Sequence, residues 1–208
     1  YRDHGAAANM EATESGGASM GSFYVNFAVP QQTSQTTADV LKTLGRKAFV
    51  APFTDGFVYF YDEAADAQDA AQIVELGIAA SKSLKAPILA VMNHDDDILQ
   101  YWLFESGAVI DTYNSSPGYF DDTIDDQPAG GDAAALCRAM GAAADPAAVE
   151  AILRADHESD DYAFAMDRHL ALAELLKLPE DLAVLGYGYI SADTEGEEVP
   201  DRDEFIKI

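Results

Sequence analysis

The chain is poor in cysteine, in basic residues and in long apolar runs. Its one cysteine, Cys137, excludes a disulfide framework or a cysteine-rich zinc site. Twelve Lys and Arg stand against 37 Asp and Glu, for a net charge of −25. A field this negative repels nucleic-acid phosphates and anionic membrane surfaces, so neither is an expected partner. Arg46-Lys47 and Lys82/Lys85 are the close basic pairs, and neither makes a patch. Between Lys85 and Arg138 there is no Lys or Arg at all, but there are ten Asp and Glu. No apolar run approaches the ~18 residues of a membrane span; Ala86 to Met92 is among the longest. No basic segment followed by an apolar core marks a secretory signal. With a free cysteine, this points to the cytoplasm. A Gly-x-Ser-x-Gly elbow, a His-Glu-x-x-His pair and a Walker lysine are all missing.

What is present is a folded chain. The 49% apolar content and 10% aromatic content are those of a globular domain. The run 22–29 alternates, with Phe23, Val25, Phe27 and Val29 on one face, and reads as a half-buried strand closed by Pro30. Thr36/Thr37 open a short helix that Gly45 stops. Lys47–Ala51 and Phe57–Asp62 form a hairpin around Asp55-Gly56, and the second arm, apolar on both faces, belongs centrally in a sheet. Asp66–Leu84 is amphipathic at helical spacing. A meander follows: Ile88–Asn93, Ile98–Glu105 and Ala108–Tyr113, with Ser106-Gly107 as the second turn. After a long loop, Asn114–Gly131, the chain turns helical. Asp132 caps one helix and Asp145, with Pro146 behind it, the next. Asp160 or Asp161 begins a third that ends near Leu178-Pro179. Ala183–Ile190 reads as a short strand or a packed loop.

The expected fold is α+β, a mostly antiparallel sheet with helices on one face, followed by a small C-terminal helical region. The expected divisions are an N-terminal tail 1–19, the sheet region 20–131, the helical region 132–192 packed on it, and an acidic C-terminal extension 193–208. Met20 has the place of an initiator just before the first strand.

Strand direction brings two acidic loops together. The turn His94-Asp95-Asp96-Asp97 joins the first two meander strands, and the third strand returns to the same end of the sheet. The loop that follows adds Asp121 and Asp122. His94, Asp95, Asp97, Asp121 and Asp122 therefore form a candidate divalent-cation set, with Ca²⁺, Mg²⁺ or Mn²⁺ as its ion. The competing reading is an ordinary Asp-rich turn. Asn114, Ser115, Tyr119 and Phe120 form a candidate contact loop. Large aromatics mostly bury area, so Phe120, and to a smaller degree Tyr119, is expected to tuck into the core. Cys137 and His169 read as packing residues in helices, and Asp156-His157-Glu158 as a polar connection.

The stretches Asn93–Asp97, Trp102–Gly107 and Asp111–Phe120 resemble a family of uncharacterised bacterial proteins. These share a hydrophobic strand, a Gly turn and an Asp-x-Tyr/Phe-Asn-Ser-x-Pro-x-Tyr-Phe loop. The resemblance implies the same layout from Phe23 to about Tyr189 and no activity. The favoured expectation is a non-catalytic binding or regulatory protein, immunity-like in one version, with a basic protein as partner and no cofactor. The alternative is a divalent-metal-dependent hydrolase or ion-binding enzyme using the loops at 94–97 and 114–126. A third reading assigns the charge to solubility or a salty habitat.

Overall fold

The computed structural model describes residues 21–121, 123–156, 162, 164–193 and 199–208. The tail 1–19, Asp122, the helix start at Asp160 or Asp161, and 194–198 of the C-terminal extension lie outside the described residues.

The first half supplies β1 (Tyr24–Pro30), α1 (Ser34–Thr43), β2 (Ala48–Val50), β3 (Phe57–Asp62) and α2 (Ala70–Leu84). The meander is β4 (Ile88–His94), β5 (Ile98–Glu105) and β6 (Ala108–Asn114). β7 (Ala129–Gly130) closes the long loop. Then come α3 (Ala133–Met140), α4 (Pro146–Arg154), α5 (Ala165–Leu176), α6 (Glu180–Ala183), α7 (Tyr187–Ala192) and β8 (Ile206–Lys207). The eight strands form one sheet in the order β7-β6-β5-β4-β1-β3-β2-β8. Every pairing is antiparallel. The protein is α+β, as its sequence pattern requires.

Local chemistry sets the element ends. Thr33, rather than Thr36 or Thr37, caps α1; its hydroxyl accepts from the Thr36 amide. Asp132 and Asp145 cap α3 and α4 as expected, each accepting a first-turn amide. The helix expected from Asp66 starts later. Ala65–Ala67 is a 3₁₀ turn, Gln68 adopts a left-handed φ of 61°, and Asp69 caps a fresh start. The run 183–190 is not a strand. It holds the last residue of α6, a short connection at 184–186 and the start of α7, where Asp66 accepts both the Tyr187 and Gly188 amides.

β1 is buried on both faces rather than half-buried, because it lies centrally between β3 and β4. One sheet face packs Val25, Phe27, Val29, Val58, Phe60 and Phe104 against α1 and α2. The other packs Tyr24, Tyr59, Tyr61, Leu89, Tyr101 and Tyr113 against the C-terminal helices. The sheet is thus the middle of three layers, and the C-terminal helical region covers the face that the first two helices leave open. α2 sits so close that a Cβ built on Gly77 would meet the Phe104 ring at 2.3 Å.

Candidate functional site

At one end of the sheet, β4 turns into β5 through Asp95-Asp96-Asp97. Asp95 (φ 56°) and Asp96 (φ 60°) both take left-handed backbone, which aspartate tolerates better than most residues. The Asp97 amide closes the turn on the His94 carbonyl at 3.0 Å. The three carboxylates then diverge. Asp96 turns inward and accepts from Asn93 Nδ2 at 2.8 Å and the Ser22 amide at 3.1 Å. Asp97 turns toward the long loop and accepts the Tyr119 hydroxyl at 2.9 Å. That bond raises the Tyr119 hydroxyl above its ordinary pKa. Asp95 stays with the chain start, beside Gly21.

His94 ends β4. Its Nδ1 lies 2.5 Å from Gln68 Oε1, and Gln68 Nε2 donates to the Asn93 carbonyl at 2.7 Å. The glutamine amide is therefore oriented, and its oxygen requires a proton on His94 Nδ1. Gln68 reaches this position because its left-handed backbone interrupts the helix expected from Asp66. Nothing in the apolar periodicity signals that role.

The sequence places His94, Asp95, Asp97 and Asp121 within two neighbouring loops, but the side chains do not converge. Asp121 accepts from both the hydroxyl and the amide of its neighbour Thr123, which hold its carboxylate below the usual range. Among the described residues, no group of three His, Cys, Asp or Glu side chains could hold a metal ion. The described carboxylates of the segment are held by turn hydrogen bonds and by neighbouring side chains.

The contact-loop residues divide. Ser115 faces inward: its amide donates to the Leu99 carbonyl and its hydroxyl accepts the Leu99 amide, both at 2.9 Å. Asn114 Oδ1 accepts the Ser116 amide and bends the chain out of β6. Asp126 gathers the loop from the far side, accepting from Ser116 Oγ and the Gly118 amide. Gly118 passes so close that a Cβ there would meet the Ile124 carbonyl oxygen at 2.8 Å.

Tyr119 and Phe120 ride outside this knot. Phe120 is 72% exposed and Tyr119 40%, which overturns their expected place in the core. The loop turns Ser115 and Ser116 inward, and the two rings that follow pack on His94 instead. In the core, Tyr101 and Tyr113 stack with ring centres 5.4 Å apart, and Tyr113 donates to the Leu153 carbonyl. Arg168, 2% exposed, donates to Tyr113 and to the Ile152 and Ala155 carbonyls.

The displaced rings instead build a surface cluster around His94. Phe23, Tyr119 and Phe120 each meet its ring edge-to-face, at 5.1, 6.2 and 5.3 Å. Tyr189 donates no ring contact here, but its hydroxyl accepts the Phe23 amide at 3.2 Å. Phe164 precedes Ala165, whose amide donates to the Asp96 carbonyl. Ile124 lies one turn beyond in the loop. Nine large apolar side chains are exposed among the described residues, and these six belong to this end of the sheet: Phe23, Tyr119, Phe120, Ile124, Phe164 and Tyr189. The sequence reading put Phe23 on the buried face of the first strand. It lies instead one residue before the first paired position, Tyr24.

A polar cavity of about 210 Å³ opens beside the rings, walled by Asp97, Ser116, Tyr119, Asp126, Tyr162 and Arg168. The arrangement offers apolar area and carboxylates side by side. The remaining histidine of note, His169, is sealed in the core. Tyr24 bonds its Nδ1 at 2.9 Å, and burial pushes its pKa down to about 4. Cys137 is likewise buried, and burial raises its thiol. Both are the packing residues that their helical positions imply. Among the described residues, no helix is long and apolar enough to cross a membrane. Comparison with protein-family models, with curated proteins and with solved structures finds no match to this chain.

Proposed function

We propose that this protein is a non-catalytic binding module whose partner is a basic protein. The contact surface is the end of the sheet formed by the 94–97 turn and the 114–130 loop. The observation that carries this reading is the concentration there of six of nine exposed large apolar side chains. Scattered exposed hydrophobics need no explanation; a cluster rimmed by polar residues is the usual mark of an interface. The partner's charge follows from the rim. Asp95, Asp97, Asp121 and Asp125 surround the rings, in a stretch with no Lys or Arg from residue 86 to 137. Opposite charge on the partner speeds encounter and fixes orientation, and buried aromatic rings supply the affinity.

The test uses a cationic amphipathic peptide of alternating lysine and leucine as a probe, followed by amide chemical shifts. Shifts confined to 94–97 and 119–125, with affinity falling about tenfold or more in Phe120→Ala, are expected. The denaturant midpoint of Phe120→Ala should match the parent, because an exposed ring holds no core together. Shifts spread evenly over the acidic surface, with Phe120→Ala binding as well as the parent, would overturn the reading.

A further inference from the structure

The opposite end of the same sheet carries the reverse chemistry. β1 leaves there at Pro30, β4 enters behind Pro87, and β5 ends at Glu105. Three helices also stop there: α2 at Leu84, α3 at Met140 and α5 at Leu176. Their ends do not meet, and a cavity of about 590 Å³ remains between them, open to solvent on one side. That volume lies within the range of small-molecule sites.

Three of the chain's twelve cations line this one cavity: Lys85, Arg138 and Lys177. Lys85 and Lys177 are the left-handed residues that terminate α2 and α5, and Arg138 lies in the last turn of α3. None of the three is in an ion pair among the described residues. The pairs found there are Arg46–Asp62, Lys47–Glu63 and Arg154–Glu150. Elsewhere Arg168 and Arg202 donate to backbone carbonyls and Lys207 lies over the Phe49 ring, while Lys42 and Lys82 are in no ion pair among the described residues either. Two carboxylates, Asp55 and Glu105, also reach the cavity, so the cations outnumber them there by one. Of four smaller cavities elsewhere on the protein, one has a cation in its wall, Arg168. Apolar wall is supplied by Phe57, Pro87 and Met140.

From this convergence we infer that the cavity is a binding site for a small molecule with an apolar body and one anionic group, a phosphate ester or a carboxylate. The inference is independent of the protein-binding surface at the other end. Each cation also offsets the carbonyl end of its own helix, and that purely structural role is what the experiment must separate from ligand binding.

Phenyl phosphate is titrated into the full chain while backbone amide shifts are followed, with phenol and inorganic phosphate in parallel. Saturable shifts at Ala86, Gly141, Ala142 and Lys177 are expected with phenyl phosphate, in about the millimolar range. Inorganic phosphate and phenol should each bind more weakly, since each lacks one half of the recognition. Lys85→Asn and Lys177→Asn keep the left-handed backbone, and Arg138→Gln lies on an exposed helix face, so the charges can be removed with the turns intact. Each single change should weaken phenyl phosphate about two- to fivefold, and Lys42→Gln, on α1, should leave it unchanged. If the triple variant is unfolded, the single Lys177→Asn variant gives the reading. Absence of saturable shifts at these amides would overturn the site. So would phenol binding as tightly as phenyl phosphate. Variants that lose thermal stability yet bind the probe like the parent would reduce the cations to helix caps.

Discussion

The two faces of the sheet are built from the same strands but by different chemistry. In β3 the alternation is visible residue by residue: Val58 and Phe60 face α1 and α2, while Tyr59 and Tyr61 face the C-terminal helices. The first face is closed mainly by apolar contact, as in the Phe27–Phe60 stack with ring centres 4.5 Å apart, with side-chain bonds from Ser34 to the Ala51 carbonyl and from the Gly107 amide to Ser81. The second face carries hydroxyls, and most of them reach across the layer. Tyr61 donates to the Leu182 carbonyl, Tyr113 to the Leu153 carbonyl and Tyr24 pairs with His169. Asn26 adds bonds to the Ala183 and Leu185 carbonyls. The helices on the two faces explain the difference. α2 has fifteen residues and an apolar stripe to bury, whereas α6 and α7 have four and six. Helices so short are marginal on their own, and the sheet holds the carbonyl end of α6 directly through Tyr61 and Asn26.

The largest difference is expected from truncation on the dry face. Phe60→Ala removes a fully buried ring from a mainly apolar layer and should cost about 3–5 kcal/mol in denaturant unfolding. A cost under about 1 kcal/mol would mean that this face is not close-packed.

Next comes pH, which acts on the polar face through His169. Burial holds its pKa at about 4 in the folded chain, against 6.5 for the ordinary side chain. Below pH 6.5 the unfolded chain takes up the proton and the folded chain does not. Stability therefore falls as pH drops from about 6.5 to about 4, by about 3 kcal/mol, and this contribution is constant below that. His169→Phe should remove this limb from the stability–pH profile while leaving the shape above pH 7 unchanged. A parent profile flat from pH 7 to 4 would show that His169 is protonated, or hydrated, in the folded state.

The contrast between faces also marks how far the sequence was legible. The meander β4–β5–β6, the β2–β3 hairpin and the caps Asp132 and Asp145 follow from local pattern, because strand alternation, turn residues and cap oxygens act over a few positions. The burial of β1 on both faces depends on strand order, which no local pattern records. The tyrosines of β3 read as apolar strand residues; that their hydroxyls hold α6 required knowing which helices lie opposite. At the candidate site, the meeting of the 94–97 turn with the 114–130 loop follows from strand direction. The outward placement of Phe120 does not, because it depends on the ring packing on His94, a residue 26 positions away in the chain. Gln68, which fixes His94, sits where a helix was expected, and its left-handed backbone has no periodic signature.

The smallest effects give the sharpest comparison, because they change one atom. Tyr61→Phe and Tyr59→Phe each delete a buried hydroxyl from neighbouring positions on the same face of one strand. Tyr61 donates to the Leu182 carbonyl at 2.8 Å, so its loss leaves a buried acceptor without its donor. About 1–3 kcal/mol is the expected cost. Its effect should be concentrated in α6, whose amides would gain hydrogen exchange before the rest of the chain. The Tyr59 hydroxyl, by contrast, has no hydrogen-bond partner among the described residues although it is fully buried. Burying an unbonded hydroxyl is itself unfavourable. Tyr59→Phe should therefore be neutral or should raise the denaturant midpoint, with the ring still stacked on Tyr61 at 6.3 Å. If both substitutions cost the same, the polar face owes its stability to ring area rather than to its hydroxyls. If Tyr59→Phe alone is costly, a buried water bonds that hydroxyl and is part of the layer.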